Sequence, residues 1–169
     1  LEPQQPVVAL TNPISTDMAV MRTSLWPGLL TTAIHNLNRQ QNRVRIFESG
    51  QCFISGAESL SQNSALAGAI CGTRHASDWT SSRQTVDFFD VKGDVESLLA
   101  RTAQRAHYSF VAAEHAALHP GQSASILRGG EAVGWLGALH PKIQRQLGLS
   151  QPIYLFQLDL ADLMHVALP

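Results

Sequence analysis

Cysteine is scarce in this chain: Cys52 and Cys71 are the only two in 169 residues. Both lie in strand-like apolar runs, and two cannot build a cysteine-rich zinc site or a disulfide framework, so a reduced, cytoplasmic chain is expected. An excess of charge is also missing. Twelve basic residues against thirteen acidic ones leave a formal charge of -1, which excludes a global electrostatic footprint for nucleic acid or an acidic membrane. Any RNA contact must be local. No run reaches the roughly 18 apolar residues of a spanning helix. The start, Leu1-Glu2-Pro3-Gln4-Gln5-Pro6, lacks the basic and apolar regions of a signal peptide and reads as a linker. An initiator Met is absent too, so the chain is expected to be an excised piece of a longer protein.

What is present fits one domain, because 169 residues with 44% hydrophobic content can bury a sizeable core. The chain is organised around Met21 to Phe53. An amphipathic helix starts near Leu25 and runs to Arg39: at 100° per residue Trp26, Leu29, Leu30, Ala33, Ile34 and Leu37 fall within an arc of roughly 140°, with Thr31, His35 and Arg39 outside it. Thr23 or Ser24 can supply a capping oxygen, and Pro27 sits in the first turn, where its missing N–H costs nothing. After a polar break at Gln41 to Arg43 comes the strand Val44 to Ile54. Both of its faces mix apolar and polar groups, which predicts a central strand with a solvent-lined cleft on part of one face.

The remaining pattern predicts a short strand over Val7 to Leu10 ended by Thr11-Asn12-Pro13, and one helical turn capped by Ser15 within Ile14 to Ala19. Ser55 to Ser64 reads as a loop, Ala65 to Cys71 as a strand, and His75 to Gln84 as an exposed loop anchored by Trp79. A helix follows from about Asp90 to Gln104, with Val91, Val95, Leu98, Leu99 and Thr102 as its apolar stripe. Ser109 to Ala113 is a strand, and Ser123 to Leu127 and Ala132 to Ala138 form a hairpin across Gly129-Gly130. Pro141 opens a short helix to about Leu147 with Gly148 at its C-terminal cap. Ile153 to Leu160 is the last strand, leading into a helix from Asp162 to Val166. Strands without regular βαβ alternation predict an α+β fold with a central antiparallel sheet.

Arg22-Thr23-Ser24, a helix, then Arg45-Ile46-Phe47-Glu48 with Phe53 behind it resembles motif 2 of class II aminoacyl-tRNA synthetases and what precedes it. The closer resemblance is to the beta-subunit family of bacterial phenylalanyl-tRNA synthetases. It rests on Thr11-Asn12-Pro13-Ile14-Ser15, Met21 to Leu30, Phe47-Glu48-Ser49-Gly50, Asp90-Val91-Lys92-Gly93-Asp94, His119-Pro120-Gly121 and Leu139-His140-Pro141, in family order over nearly the whole chain. The resemblance implies a class II synthetase-like sheet flanked by helices, with the motif 1 helix lying upstream of this segment. It also implies two partners, an alpha catalytic subunit in a tetramer of two alpha and two beta, and tRNA(Phe) met through that holoenzyme. ATP and magnesium serve the holoenzyme; this segment is expected to hold no cofactor or metal of its own.

A working class II site needs one arginine for the ATP α-phosphate and another for the γ-phosphate, placed in a dry site where one donor lowers the barrier by about 3 kcal/mol. By alignment with the family pattern, Ile54 replaces the first arginine and Gly56 falls where the motif's acidic residue is expected. Gln157 and Asp159 stand where glycines leave room for adenine, and Asp162 stands where the second arginine belongs. The resemblance therefore implies a catalytically inert module. A free-standing class II-fold ligase or amidotransferase-like enzyme is the alternative, and an RNA-binding module a third. His35, Asn38, Arg39, Arg43 and Arg45 are candidate partner or tRNA contacts, against the plainer reading of a solvated face. His119 and His140, each before a proline, read as turn or core hydrogen-bonding residues rather than metal ligands. Asp87, Asp90 and Asp94 read as helix-capping and dipole-pairing groups.

Overall fold

A computed structural model of the chain describes residues 6–16, 19–55, 60–76, 84–101 and 107–164. Among them helix α1 (Trp26–Leu37) precedes strands β1 (Arg43–Ser55) and β2 (Leu60–Gly72), helix α2 (Phe88–Leu99) and strands β3 (Tyr108–Ala112), β4 (Leu118–Arg128) and β5 (Glu131–Leu139). Helix α3 (Pro141–Gln146), strand β6 (Ile153–Asp159) and helix α4 (Leu160–Met164) complete the order. The six strands make one sheet, β1-β2-β6-β5-β4-β3, antiparallel at every pairing. This is the expected α+β architecture. No helix among the described residues is long and apolar enough to cross a membrane.

Each face of the sheet buries one long amphipathic helix, with Ile143 of α3 and Leu163 of α4 packed beside them. On one side Trp26, Leu29, Leu30 and Ala33 of α1 pack on Val44, Cys52, Ala67 and Leu155, all under 6% exposed. Leu37 and Ile34 are half-buried, while Thr31, His35 and Arg39 face solvent, so the predicted helical phase is the observed one. On the other side Val91, Val95 and Leu99 of α2 pack on Ile70, Ile126, Leu136 and Leu158. Burying a leucine, valine or phenylalanine side chain stabilises by roughly 1.5–3 kcal/mol, so these two stripes hold the helices to the sheet far more firmly than intrinsic propensity does.

Several elements differ from the sequence reading. β1 is an edge strand, not a central one: its pairings run only to β2, and its mixed faces reflect incomplete cover at the sheet margin. β2 begins at Leu60 rather than Ala65, because the polar residues Ser61 to Ser64 find ladder partners in Ile54 to Gln51. Val7 to Leu10 is reduced to a single bridge, Ala9 to Val20, with the Leu10 and Met21 N–H groups donating to the Ala19 and Val8 carbonyls. α2 starts at Phe88 because Asp87 caps it, and α4 starts at Leu160 because Asp159 accepts from the Ala161 N–H at 2.9 Å. Trp79, Thr102 and Gly56 lie outside the described residues, as does the side chain of Asp162.

The β4–β5 turn is the one expected: Gly129 and Gly130 have φ of +59° and +95°, which a glycine pair adopts without steric cost. Further along this hairpin β4 places four residues, 119–122, between Leu118 and Ser123 where β5 places only Ala138 between their partners Leu139 and Gly137, so His119-Pro120-Gly121 bulges out of the ladder.

Candidate functional site

Three of the degenerate positions named from the sequence, Ile54, Gln157 and Asp159, come together on the α1 face. Because paired residues in an antiparallel ladder share a face, the registers place Glu48, Ala67, Gln157, Trp135 and Ser125 in one row across five strands. The N-terminus of α1 lies over this row. Its first N–H groups have no partners inside the helix, and Gln157 supplies one from across the fold. The Leu25 N–H and the Ser24 hydroxyl both donate to Gln157 Oε1, at 3.0 and 2.8 Å. Ser24 in turn accepts from the Trp26 N–H at 3.2 Å, but the N-cap position falls on Leu25, which has no side-chain cap, so neither Thr23 nor Ser24 is the expected capping residue. The Trp26 indole N–H donates to the Phe156 carbonyl at 3.0 Å, tying the same turn to β6 a second time.

Beside Gln157 lies a cavity of about 150 Å³, lined by Thr23, Ile54, Asn63, Asp159 and the rings of Trp26 and Trp135, among others. His115 stands between those two rings, with centroids 5.1 Å from Trp26 and 5.0 Å from Trp135. Ile54, Gln157 and Asp159, far apart in sequence, therefore share one cavity wall. Two physical facts set what this cavity can do. Small-molecule pockets run from roughly 300 to 1,000 Å³, so 150 Å³ is too little for a nucleotide. The described lining also contains no arginine or lysine, while Asp159 contributes an acid.

Arg22, which reaches the same sheet row at Glu48, is engaged. Its Nε donates to the Gln51 carbonyl at 2.9 Å and its guanidinium pairs with Glu48. Gly50 permits this path, since a Cβ there would occupy the position of the guanidinium.

The five candidate contact residues do not form one patch. His35, Asn38 and Arg39 are exposed at the C-terminal end of α1 and the turn after it. Arg43 and Arg45 alternate with the inward Val44 and so project from the opposite face of β1. Arg45 is paired there with Asp94 of α2 at 3.3 Å.

The histidines behave as turn residues. In His115, His119 and His140 the Nδ1 atom accepts from the N–H two residues on, at 3.1, 3.0 and 3.0 Å, and the last of these caps α3. Asp87 and Asp90 form a reciprocal capping box at the start of α2 and share Arg74, with Nε 2.9 Å from Asp90. Burial works against charge on Asp90, but the Asp87 N–H, the Arg74 guanidinium and Arg45 outweigh it and hold the carboxyl below its ordinary value. Burial pushes the Cys71 thiol up to about 11, so it stays protonated in the core.

Sequence reasoning did not single out His115, Asn63 or the pairing of Arg22 with Glu48. Only the last left a signal, since both partners fall inside the synthetase-like motif.

Comparison with known proteins adds three findings. The model of the family described as "Phenylalanyl tRNA synthetase beta chain CLM domain" matches residues 1–160. Proteins named phenylalanine–tRNA ligase beta subunit are similar over most of the chain: one from Pseudomonas fluorescens is 52% identical over 95% of it, and one from Hahella chejuensis is 49% identical over 100%. The chain spans only 20% and 21% of the length of those relatives. Among solved structures, a pyrrolysyl tRNA synthetase from Desulfitobacterium hafniense superposes with a TM-score of 0.63 at 17% identity, over 95% of this chain and 52% of that one, a likeness of fold alone.

Proposed function

Since the chain belongs to the phenylalanyl tRNA synthetase beta chain CLM domain family, we propose that it is a non-catalytic structural module of a cytoplasmic phenylalanine–tRNA ligase. In this reading it supports an alpha subunit that carries out ATP- and magnesium-dependent phenylalanylation of tRNA(Phe), within an assembly of two alpha and two beta subunits. The observation that carries inertness is Gln157. Its side chain fills the space over the sheet row and takes up the donors at the start of α1, beside a cavity of about 150 Å³ walled by Ile54 and Asp159. A nucleotide would have to displace that carboxamide and find its own counter-charge. The exposed end of α1 around His35, Asn38 and Arg39 is the surface offered to a partner or to tRNA; Arg43 and Arg45 project from the far face, where Arg45 is engaged with Asp94.

The test is calorimetric titration of the chain with ATP and magnesium, alongside phenylalanine-dependent pyrophosphate exchange. Neither binding nor exchange is expected. Saturable micromolar ATP binding together with exchange would overturn the proposal and restore the free-standing ligase reading.

A further inference from the structure

The face of the sheet opposite α1 holds a second and larger cavity, about 580 Å³, between the first turn of α2 and the β3–β4 edge. Its size falls within the roughly 300–1,000 Å³ of small-molecule sites, where the cavity beneath α1 does not. Phe88 and Phe110 are half-buried in its wall, and Phe89 lies at the same cavity 74% exposed. The small side chains of Ala112 and Ala124 leave the space between helix and strands open. Three phenylalanines and two alanines gathered around one open cavity make a contiguous apolar surface, the kind that marks a binding site where a single exposed side chain would not.

Two donors, Lys92 and Tyr154, meet this aromatic frame beside Gln122, Ser123 and the acid Asp87. Lys92 Nζ lies 4.8 Å from the Phe110 ring centroid and is paired with Glu96 one turn further along α2. An ammonium has three donors, so one carboxylate partner leaves capacity for another acceptor. Tyr154 lines the same cavity from β6, and burial, with Asp87 and Asp90 nearby, pushes its pKa up, so its hydroxyl remains a donor. The acid in the lining, Asp87, is already committed to the α2 cap and to Arg74.

We infer that this cavity is a binding site for a small aromatic acid, its ring held among Phe88, Phe89 and Phe110 and its carboxylate received by Lys92. The site lies on the face opposite Gln157, so it stands or falls independently of nucleotide binding under α1. The probe is 2-naphthoate, titrated into the full chain and followed by amide NMR, with 2-naphthamide as the uncharged control. Saturable shifts are expected near residues 88–92, 110–112 and 121–124, and 2-naphthoate should bind more tightly than the amide. Lys92→Met should weaken 2-naphthoate by about tenfold, the scale of one partly exposed charge contact, and leave 2-naphthamide unchanged. Ala112→Trp should abolish both by filling the space. Phe89→Ser, at an exposed position that the fold does not depend on, should weaken both, with an unchanged thermal melt. Equal binding of acid and amide would overturn the acid assignment. No saturable shift, or shifts lying under α1 or scattered over the surface, would overturn the site.

Discussion

Replacing Gln157 with leucine tests whether the carboxamide holds α1 in place. Leucine matches the side chain in bulk but accepts nothing, so the Leu25 N–H and the Ser24 hydroxyl, now at 3.0 and 2.8 Å from Oε1, both lose their acceptor. Ser24 is 3% exposed and Leu25 1%, which leaves little access for bulk water. A buried donor left unsatisfied costs about 1–3 kcal/mol. The hydroxyl can rotate away, and a water in the neighbouring cavity can recover part of one bond, so the sum should be near 2–3 kcal/mol rather than twice the upper figure. For a domain of 169 residues, that corresponds to a melting temperature lower by about 5–10 °C. Gln157→Glu keeps an acceptor and puts negative charge at a helix N-terminus, so its loss at neutral pH should stay within about 1 kcal/mol. The assay is urea unfolding of Gln157→Leu, Ser24→Ala and the double variant, followed by circular dichroism. The double-variant cycle should give a coupling of about 1 kcal/mol, as for residues in one hydrogen-bond network. Wild-type stability for Gln157→Leu, or strict additivity with Ser24→Ala, would refute the cross-strand cap.

Two further outcomes follow from the packing and the charges. Leu29→Ala, at a site 3% exposed, should cost about 2–5 kcal/mol. Leu37→Ala should cost less, because that side chain is only half-buried, and exposed Thr31→Ala within about 0.5 kcal/mol; equal unfolding midpoints would mean that the helix presents a different face. Asp90 has its carboxyl held below the ordinary value, so its contribution is complete above the unfolded carboxylate pKa of about 4 and is lost as pH falls through the lower folded value. Arg74→Met should therefore lower stability at pH 6 and make it fall less steeply below pH 4, read from midpoints across that range; parallel profiles for the two proteins would remove Arg74 as the cause.

The sequence by itself determined the α1 face, the Gly129-Gly130 turn, the α3 start at Pro141 and the composition of the degenerate site, because each rests on spacing within one element or on residue chemistry. Leu29 and Ala33 are core at any partner's expense, and two glycines at φ of +59° and +95° need no distant contact. Strand order was a different matter. Mixed faces on β1 read equally as a central strand beside a cleft and as a half-covered edge, and only the pairing of β2 with β6 decided for the edge. The polar residues 61–64 carry no strand signal of their own; they become strand because Gln51 to Ile54 offers them a ladder. Gln157 is legible as the wrong residue for a nucleotide floor, yet nothing local says that it caps a helix 132 residues away. That bond exists because the sheet register sets β6 beneath α1, and hydrogen bonds between distant segments are fixed by the tertiary fold.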